Sequence, residues 1–395
     1  MERPAMTLPK RPRRRLPFWG FVLAGVGLLV LSLGFGGALL TKSYLQSLTS
    51  SVETGSVLEG DALKPAPTIS GRTLTGPLDI LLLGLDTRHG WADGSGRADT
   101  IIVLHIPREH DKAYLMSIPR DALVDIPAYP QAGFYGKRNR INAAYTYGSR
   151  NGLDWQGGAA LTANTIHQLT GLQFDGVAVI DFDGFKDVIE ELGGVHMCVD
   201  RETKSDHYIV VDGKPEKAYG KRSGVFLPNS YVHPVGCRDM AGWEALDFAR
   251  QRKSGPNGDY DRQRHQQQLL KAMGEKAATV GVVTNPLKVT SLIKSAGSAL
   301  RMDTGHADLF DFLWTLRGLR SSDLVLLKTN NGTYLRGKVK GTQAISYGTL
   351  EMFAAAKADT LDAYVTTHPE SVYGDGTVPI GAPPTTDPHP IRAAD

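Results

Sequence analysis

Three short stretches decide the fold: "LDILLLGLD" (78–86), "ADTIIVLHI" (98–106) and "AYLMSIP" (113–119). Each has the length of a strand, and the first is a nearly continuous apolar run, as expected of a strand covered on both faces. The polar turn "PREHD" separates the second stretch from the third. We therefore predict that the three stretches form an antiparallel meander.

Such a meander brings chemically active side chains together. The ends of its first and third strands lie at the same end of the sheet as the start of its second strand. Asp86, Asp99 and Arg120 occupy these positions, and Arg97 immediately precedes the second strand. Paired carboxylates suit a hard divalent cation such as Mg²⁺. The structural alternative is that Asp86 caps a loop and Asp99 pairs with Arg97 or Arg120.

The patterns that follow mix helices with strands. The predicted helices are 157–171, 182–194, 242–249, a long helix from Asp261, and helices near 287–300, 307–318 and 344–357. The predicted strands are 174–181, 195–200 and 323–329. These elements predict an α/β fold in which helices flank a mixed central sheet in three layers.

The N-terminal region has the composition of a membrane anchor. Residues 16–40 contain no charged side chain and are long enough to cross a hydrocarbon core of about 30 Å as a helix. The basic residues of segment 1–15 place the N-terminus in the cytoplasm. A cleaved signal peptide is the alternative, but its apolar region normally spans only about 7–15 residues. We predict a single transmembrane helix with the large domain outside.

Four other regions follow from composition. Residues 1–15 form a cytoplasmic basic tail, 41–76 a juxtamembrane linker, 77–367 the extracytoplasmic domain, and 368–395 a Pro-rich disordered tail. The formal net charge of the chain is +3, and the tail's net +5 leaves −2 for the remainder. A nucleic-acid-binding protein carries its positive charge on the folded domain. We therefore expect no nucleic-acid partner.

The chain has two cysteines, Cys198 and Cys237, both in the part predicted to be exported. Outside the cytosol such a pair tends to form a disulfide, which is the pairing we predict. Two buried thiols, or half of a metal site, are the alternatives. No CxxC motif supports a zinc site.

The segment "ARQRKSGPNGDYDRQRHQQQ" (249–268) is rich in arginine. A solvated charged face is the simplest explanation, but on a helix Arg262 and Gln266 share a face with Leu269, which points partly inward. Arg264 points elsewhere and is expected to be solvated. Arg250 and Arg252 would share a side of an extended segment. Because guanidinium groups bind phosphate oxygens in a bidentate manner, converging arginines indicate a pyrophosphate site.

Seven motifs in order make the chain resemble the LytR-CpsA-Psr family of cell-wall glycopolymer transferases. They are "DILLLGLDT", "GRADTIIVLHI", "SIPRD", "RINAAYTYG", "AVIDFDGFKDVIEELGGVHMCVD", "ALDFARQRK" and "GDYDRQRHQQQ", spread over roughly residues 78–275. One departure concerns the last motif, where the family pattern is Arg-x-x-Arg-Gln. Here either His265 stands in place of the second arginine or Arg264 takes over its role.

The resemblance implies a phosphotransferase. Its substrates would be a polyprenyl-pyrophosphate-linked glycopolymer and a peptidoglycan sugar hydroxyl, its cofactor Mg²⁺ with Mn²⁺ as an alternative, and its location the membrane. The metal-binding positions would be Asp86 and Asp99. The catalytic positions would be Asp99, Arg97 and Arg120. The pyrophosphate-binding positions would be Arg97, Arg120, Arg140, Arg250, Arg252, Arg262 and Gln266.

Two other functions remain open at this point. Hydrolysis of the same pyrophosphate differs only in the acceptor, which the sequence does not identify. A non-catalytic wall-binding or regulatory module anchored in the membrane is the second, but it leaves the paired aspartates and the inward-facing arginines unexplained.

Overall fold

The computed structural model describes residues 53–71, 73–86, 96–218, 226–280, 286–316, 318–319 and 321–374. The predicted basic tail, the predicted transmembrane segment and residues 375–395 of the Pro-rich tail lie outside these ranges. Within them, no helix combines the length and apolar character needed to cross a bilayer.

Sixteen strands lie within the described residues. They are β1 (Glu53–Thr54), β2 (Ile69–Ser70), β3 (Thr73–Leu74), β4 (Leu78–Leu85), β5 (Ala98–Ile106), β6 (Ala113–Ser117), β7 (Leu123–Ile126), β8 (Lys137–Arg140), β9 (Gly176–Asp181), β10 (Val195–Val199), β11 (Thr203–Val211), β12 (Lys214–Lys217), β13 (Ser230–His233), β14 (Gly236–Met240), β15 (Leu300–Asp303) and β16 (Leu324–Leu327).

Nine α-helices of the described part accompany them. They are α1 (Ala143–Gly148), α2 (Asp154–Thr170), α3 (Phe182–Glu191), α4 (Gly242–Arg250), α5 (Asp259–Thr279), α6 (Pro286–Ala296), α7 (Leu309–Leu316), α8 (Tyr347–Lys357) and α9 (Leu361–Thr367).

The central sheet has the strand order β1-β15-β9-β4-β5-β6-β16. The predicted meander is confirmed, because β5 pairs antiparallel with both β4 and β6. The sheet is mixed: β9 runs parallel to β4, and β16 runs parallel to β6. The carboxyl ends of β4, β6, β9 and β16 therefore meet at the same end of the sheet as the start of β5.

Helices cover both faces of this sheet. On one face, Leu83 and Ile101 share a core with side chains of α2 and α8, such as Leu161 and Phe353. On the other face, Ile102 packs in a smaller cluster that includes side chains of β6, β16 and α5. The mixed α/β fold with flanking helices is thus confirmed for the described residues.

Residues 53–71 and 73–76, which the sequence predicted as part of a linker, pack on the domain. Val57 and Leu58 are only 2% and 3% exposed, and their backbone amides donate hydrogen bonds to Asp303 Oδ2. β1 also extends the central sheet by pairing with β15. A few apolar side chains with a buried acceptor are enough to order a segment of linker-like composition, so the folded unit extends at least to residue 53.

The two cysteines face each other in the antiparallel pair β10–β14, and a disulfide joins Cys198 to Cys237. This is the predicted pairing. His196 lies close to both sulfur atoms. Because both sulfurs are engaged in the disulfide, they cannot act as thiolate ligands, and the group does not form the metal site considered as an alternative.

Candidate active site

A β-bulge places Asp99 at the end of the sheet. Gly84 is paired with Thr100, but the next residue of β4, Leu85, is paired with Ala98, which leaves Asp99 as the extra residue. A bulge redirects side chains and disrupts the local ladder. A Cβ atom on Gly84 would approach Thr100 Cβ to 2.9 Å, so glycine permits this close pairing.

Two arginines contact Asp99 and, together with Asp259, link the sheet to α5. Its carboxylate forms an ion pair with Arg120 Nη1. Its backbone carbonyl, displaced from the regular ladder, accepts a hydrogen bond from Arg262 Nη2 at 2.9 Å. Asp259, at the first turn of α5, lies 2.8 Å from Arg262 Nη2 and 3.7 Å from Arg120 Nε. The two guanidinium groups therefore converge on one carboxylate-lined corner.

This corner retains hydrogen-bonding capacity. Arg120 Nε, Arg262 Nε and Asp259 Oδ1 are buried and have no hydrogen-bond partner among the described residues, although Asp259 forms an ion pair with Arg262. Arg262 is only 4% exposed, and burial lowers the pKa of its guanidinium while Asp259 opposes that shift. Unpaired buried donors are costly, which makes the corner a candidate anion site.

A second ion pair lies at the end of β4. Arg250, the last residue of α4, lies 3.5 Å from Asp86 Oδ1 through its Nη2. Its guanidinium carbon is 3.9 Å from the centre of the Phe182 ring, a cation–π contact. Both charged side chains remain partly exposed, at 25% and 33%. Arg250 is thus held in position while part of its side chain faces solvent.

An apolar cavity of about 190 Å³ opens beside this pair, between the sheet and helices α3, α4 and α5. Its polar or charged lining residues are Thr100, Asp181, Arg250 and Gln266. Its other lining residues are Leu82, Leu83, Gly84, Ile102, Ala178, Ile180, Phe182, Phe185, Leu246, Ala249, Leu269 and Leu270. Gln266, predicted to share a face with Arg262 and Leu269, lies here together with Leu269.

The other predicted phosphate-binding residues lie at different distances from this centre. Arg140 Nη1 is 3.5 Å from Asp121 Oδ1, and Asp121 in turn is 3.8 Å from Arg120 Nε. Arg97 is exposed and Arg252 is half-buried in the loop before α5. Neither of these two forms an ion pair with Asp86 or Asp99, both of which belong to the described part.

The environment of Arg264 differs from the one predicted. Arg264 was expected to be solvated, but its side chain is only 18% exposed and its Nη2 lies 2.7 Å from Asp200 Oδ2. His265 is also buried, stacks on Phe248 at 4.2 Å and lies 3.6 Å from Asp200. Neither side chain joins the Asp99 corner, so Arg264 and His265 belong to a separate cluster on the other face of α5.

Sequence reasoning missed two residues of the site. Asp259 was left out because the helix was expected to begin at Asp261; a start two residues earlier would have placed Asp259 one turn before Arg262. Gln267 is fully buried and donates hydrogen bonds to Ser117 Oγ and to backbone carbonyls of β6 and β16. It fixes α5 on the sheet. Nothing in the sequence around this single glutamine indicates that role.

Known proteins resemble this chain over most of its length. The LytR_cpsA_psr family model matches residues 42–357. A polyisoprenyl-teichoic acid–peptidoglycan teichoic acid transferase TagU from Oceanobacillus iheyensis is 26% identical, with 83% of this chain and 89% of that protein covered. A probable cell wall biosynthesis protein LcpB from Corynebacterium glutamicum is 29% identical over 60% of this chain and 50% of that protein.

Solved structures support the fold. The crystal structure of protein gbs0355 from Streptococcus agalactiae matches with a TM-score of 0.54 at 21% identity, covering 73% of this chain and 88% of that one. The family model spans about four-fifths of the sequence and includes the whole meander and the first turns of α5. The chain belongs to the LytR_cpsA_psr family.

Proposed function

We propose that this protein transfers a glycosyl-phosphate polymer from a polyprenyl-pyrophosphate carrier to a sugar hydroxyl of peptidoglycan. The observation that carries the proposal is the apolar cavity that is lined by Arg250, the ion-pair partner of Asp86. A lipid-linked pyrophosphate needs an apolar slot next to an anion site. The relative from Oceanobacillus iheyensis, which is named as a transferase of polyisoprenyl-linked teichoic acid to peptidoglycan, supports the same reaction class.

The arginines bind the pyrophosphate. Arg250 lines the cavity, and at the Asp99 corner the buried Nε donors of Arg120 and Arg262 have no hydrogen-bond partner among the described residues. Guanidinium groups suit this role because they stay protonated and bind phosphate oxygens in a bidentate manner. Fixed cations also stabilise the charge that develops in phosphoryl transfer, without reorganisation during the reaction.

Asp99 acts as the general base for the incoming nucleophile. An acceptor hydroxyl attacks the phosphorus that bears the glycan, and its proton passes to the Asp99 carboxylate. A new oxygen–phosphorus bond forms while the bond to the bridging pyrophosphate oxygen breaks, which releases polyprenyl phosphate. Arg120 holds the Asp99 carboxylate in place through their ion pair.

Asp86 and Asp99 are the residues that would hold Mg²⁺ or Mn²⁺. They follow and begin adjacent strands, and each of the observed ion pairs engages only one oxygen of each carboxylate. Hard carboxylate oxygens at neighbouring strand ends fit a hard cation that is also bound by phosphates. When bound, the ion would neutralise phosphate charge.

A lipid-linked substrate also accounts for the predicted anchor. We propose that residues 1–15 are cytoplasmic, that 16–40 cross the membrane and that the catalytic domain lies outside. A tether of this kind keeps the cavity near the bilayer that contains the carrier.

The test is transfer of a labelled lipid-linked sugar phosphate to peptidoglycan oligomers by the full chain. Ala178→Phe places a ring in the cavity, so we expect it to slow transfer from a long-prenyl donor and to spare a donor with a short soluble chain. The thermal midpoint checks that the variant folds. Release of free glycosyl phosphate at the same rate with and without peptidoglycan would show hydrolysis and refute the proposed transfer.

A further inference from the structure

A second, polar cavity of about 340 Å³ lies on the other side of α5. Its volume falls within the range of roughly 300–1,000 Å³ that is typical of small-molecule pockets. We call it the polar pocket; among its lining residues are Asp200, Asp261, Arg264, His265, Lys328 and Asn331. These groups can both donate and accept hydrogen bonds.

The polar pocket opens at the same end of the sheet as the Asp99 corner. β16 runs parallel to β6, so Lys328, which follows β16, lies at the end where Arg120 follows β6. The first turns of α5 separate the two sites: Asp259 and Arg262 contact the Asp99 corner, whereas Asp261 and Arg264 line the pocket. A helix with its side chains is about 10 Å wide, so the two sites are separated by about the length of two linked sugar rings.

Within the described residues, the ammonium of Lys328 in the polar pocket has no acidic partner. Asp200 pairs with Arg264 at 2.7 Å, and Asp261 accepts a hydrogen bond from the Asn257 amide at 2.9 Å. The half-buried ammonium of Lys328 donates to the Glu370 carbonyl at 3.1 Å. In the described part of the chain, no carboxylate lies within 4 Å of this ammonium. Burial correspondingly lowers the pKa of Lys328.

Two further features indicate a built site. His265 is 5% exposed, and its Nδ1 has no hydrogen-bond partner within the described residues. Asn331, which lines the pocket, and its buried neighbour Asn330 both adopt positive φ angles, 50° and 49°. The Asn330 amide holds this strained turn by bonding to Tyr260 Oη and to the Ala344 carbonyl. Strained backbone held by its surroundings tends to occur at functional sites.

We propose that the polar pocket binds a sugar residue of the peptidoglycan acceptor, next to the residue whose hydroxyl reacts. This proposal rests on the proposed function, because the attacking and leaving oxygens of phosphoryl transfer are roughly in line. With the prenyl chain in the apolar cavity on one side of α5, the acceptor approaches from the opposite side. Lys328 then pairs with a carboxylate of the peptide stem.

The experiment measures binding of a disaccharide–tetrapeptide, released from peptidoglycan by muramidase, to the full chain in detergent by calorimetry. Lys328→Met removes the charge, and Asn331→Gly removes the amide while suiting the positive φ. We expect Lys328→Met to weaken binding about tenfold, the loss of one charge-assisted hydrogen bond. Asn331→Gly should weaken it as well.

Matched controls lie elsewhere on the surface. Lys340→Met removes another lysine, and Asn151→Gly changes another exposed asparagine of positive φ, 58°. Both should bind the fragment like the natural sequence. Equal binding by all four variants would overturn the proposal.

A second arm uses a soluble glycosyl diphosphate that lacks the lipid. If Lys328→Met weakens binding of this donor headgroup instead of the peptidoglycan fragment, the pocket holds the donor glycan and the acceptor assignment is overturned. A third outcome is that the natural chain binds the fragment through Lys328 and yet shows no transfer. That result would support the pocket assignment and refute the proposed function, so failure of the one can be distinguished from failure of the other.

Discussion

At one end of the central sheet, the Lys64 ammonium donates hydrogen bonds to Asp79, to Asp175 and to the Pro77 carbonyl, at 2.8, 3.1 and 2.7 Å. An ammonium has three hydrogens, and all three have acceptors here. His105, at the end of β5, also binds Asp79 at 2.8 Å. Through Lys64, these contacts fix the segment 53–71 on the domain.

At the opposite end of the same strands, the cations are not saturated. β4 carries Asp79 near its start and is followed by Asp86; β5 begins near Asp99 and ends near His105. Among the described residues, the Nε donors of Arg120 and Arg262, which meet Asp99, have no hydrogen-bond partner, and Thr100, the next residue of β5, lines the apolar cavity. A cation whose hydrogens all have acceptors, such as Lys64, stabilises the fold, whereas arginines with donors left over are suited to binding a ligand. Substitutions at the two ends should therefore separate stability from activity.

The largest expected effect is on the rate, at the unsaturated end. Asp99→Asn keeps the shape of the side chain but removes the proton acceptor, so we expect transfer to slow by about 10²–10⁴-fold. The thermal midpoint should change little. Asp111→Asn, an exposed aspartate at the other end of the sheet, is the control. Full activity of the Asp99 variant would rule out the proposed role of this carboxylate.

The next effect is on stability, at the saturated end. Lys64→Met leaves two buried carboxylates without their cation, and we expect the free energy of unfolding to fall by about 3 kcal/mol. The rate per folded molecule should not change. Lys112→Met breaks the more exposed pair with Asp362 and should cost less than about 1 kcal/mol. Chemical denaturation measures both, and equal losses would remove the distinction between the two pairs.

A smaller effect concerns recognition of the donor. Arg250→Ala removes one charge-assisted contact, so the KM for the lipid-linked donor should rise about tenfold. Arg250→Lys should recover little of this loss, because an ammonium cannot form the bidentate contact. Arg108→Ala, an exposed arginine at the other end, should behave like the natural sequence. Full recovery by lysine would show that Arg250 acts only through its charge.

The smallest effect is a pH dependence at the saturated end. Burial lowers the pKa of Lys64, but the attraction of Asp79 and Asp175 outweighs it and raises the pKa above the usual 10.5. A cation with a raised pKa stabilises the folded state at all pH values below its unfolded pKa, and this contribution is lost as the pH rises through the folded value. The stability difference between the natural chain and Lys64→Met should therefore be constant from pH 7 to 9 and should shrink above 10.5. A difference that already declines near pH 8 would contradict the raised pKa.

Strand patterns alone predicted the meander and the meeting of Asp99 with Arg120, because the alternation of directions determines which strand ends meet. They did not predict the bulge, since one extra residue in a strand leaves no trace in hydrophobicity. They also missed the structural role of Lys64, because the segment around it has the composition of a linker. Its partners, Asp79 and Asp175, lie outside that segment and become evident only in the folded structure. Short-range patterns identify elements, whereas the pairing of buried charges also involves residues far apart in sequence, such as Lys64 and Asp175, which are 111 positions apart.

The same dependence on distant residues explains why the burial of Arg264 was not predicted. Helical spacing correctly placed it on a different face from Arg262, but a different face was taken to mean solvent. The partner of Arg264, Asp200, follows β10, 64 positions away. A helix whose two faces are both covered cannot be recognised from its own sequence when the covering groups are polar.

The bulge at Asp99 has a consequence for how this strand can change in evolution. Deleting a single residue between Arg97 and Thr100 would let β5 continue in regular register with β4, and the ladder would gain a regular pair. The same deletion would remove the displaced carbonyl that Arg262 binds and the carboxylate that Arg120 holds. Selection for a more stable sheet and selection for activity therefore act in opposite directions on the length of this strand.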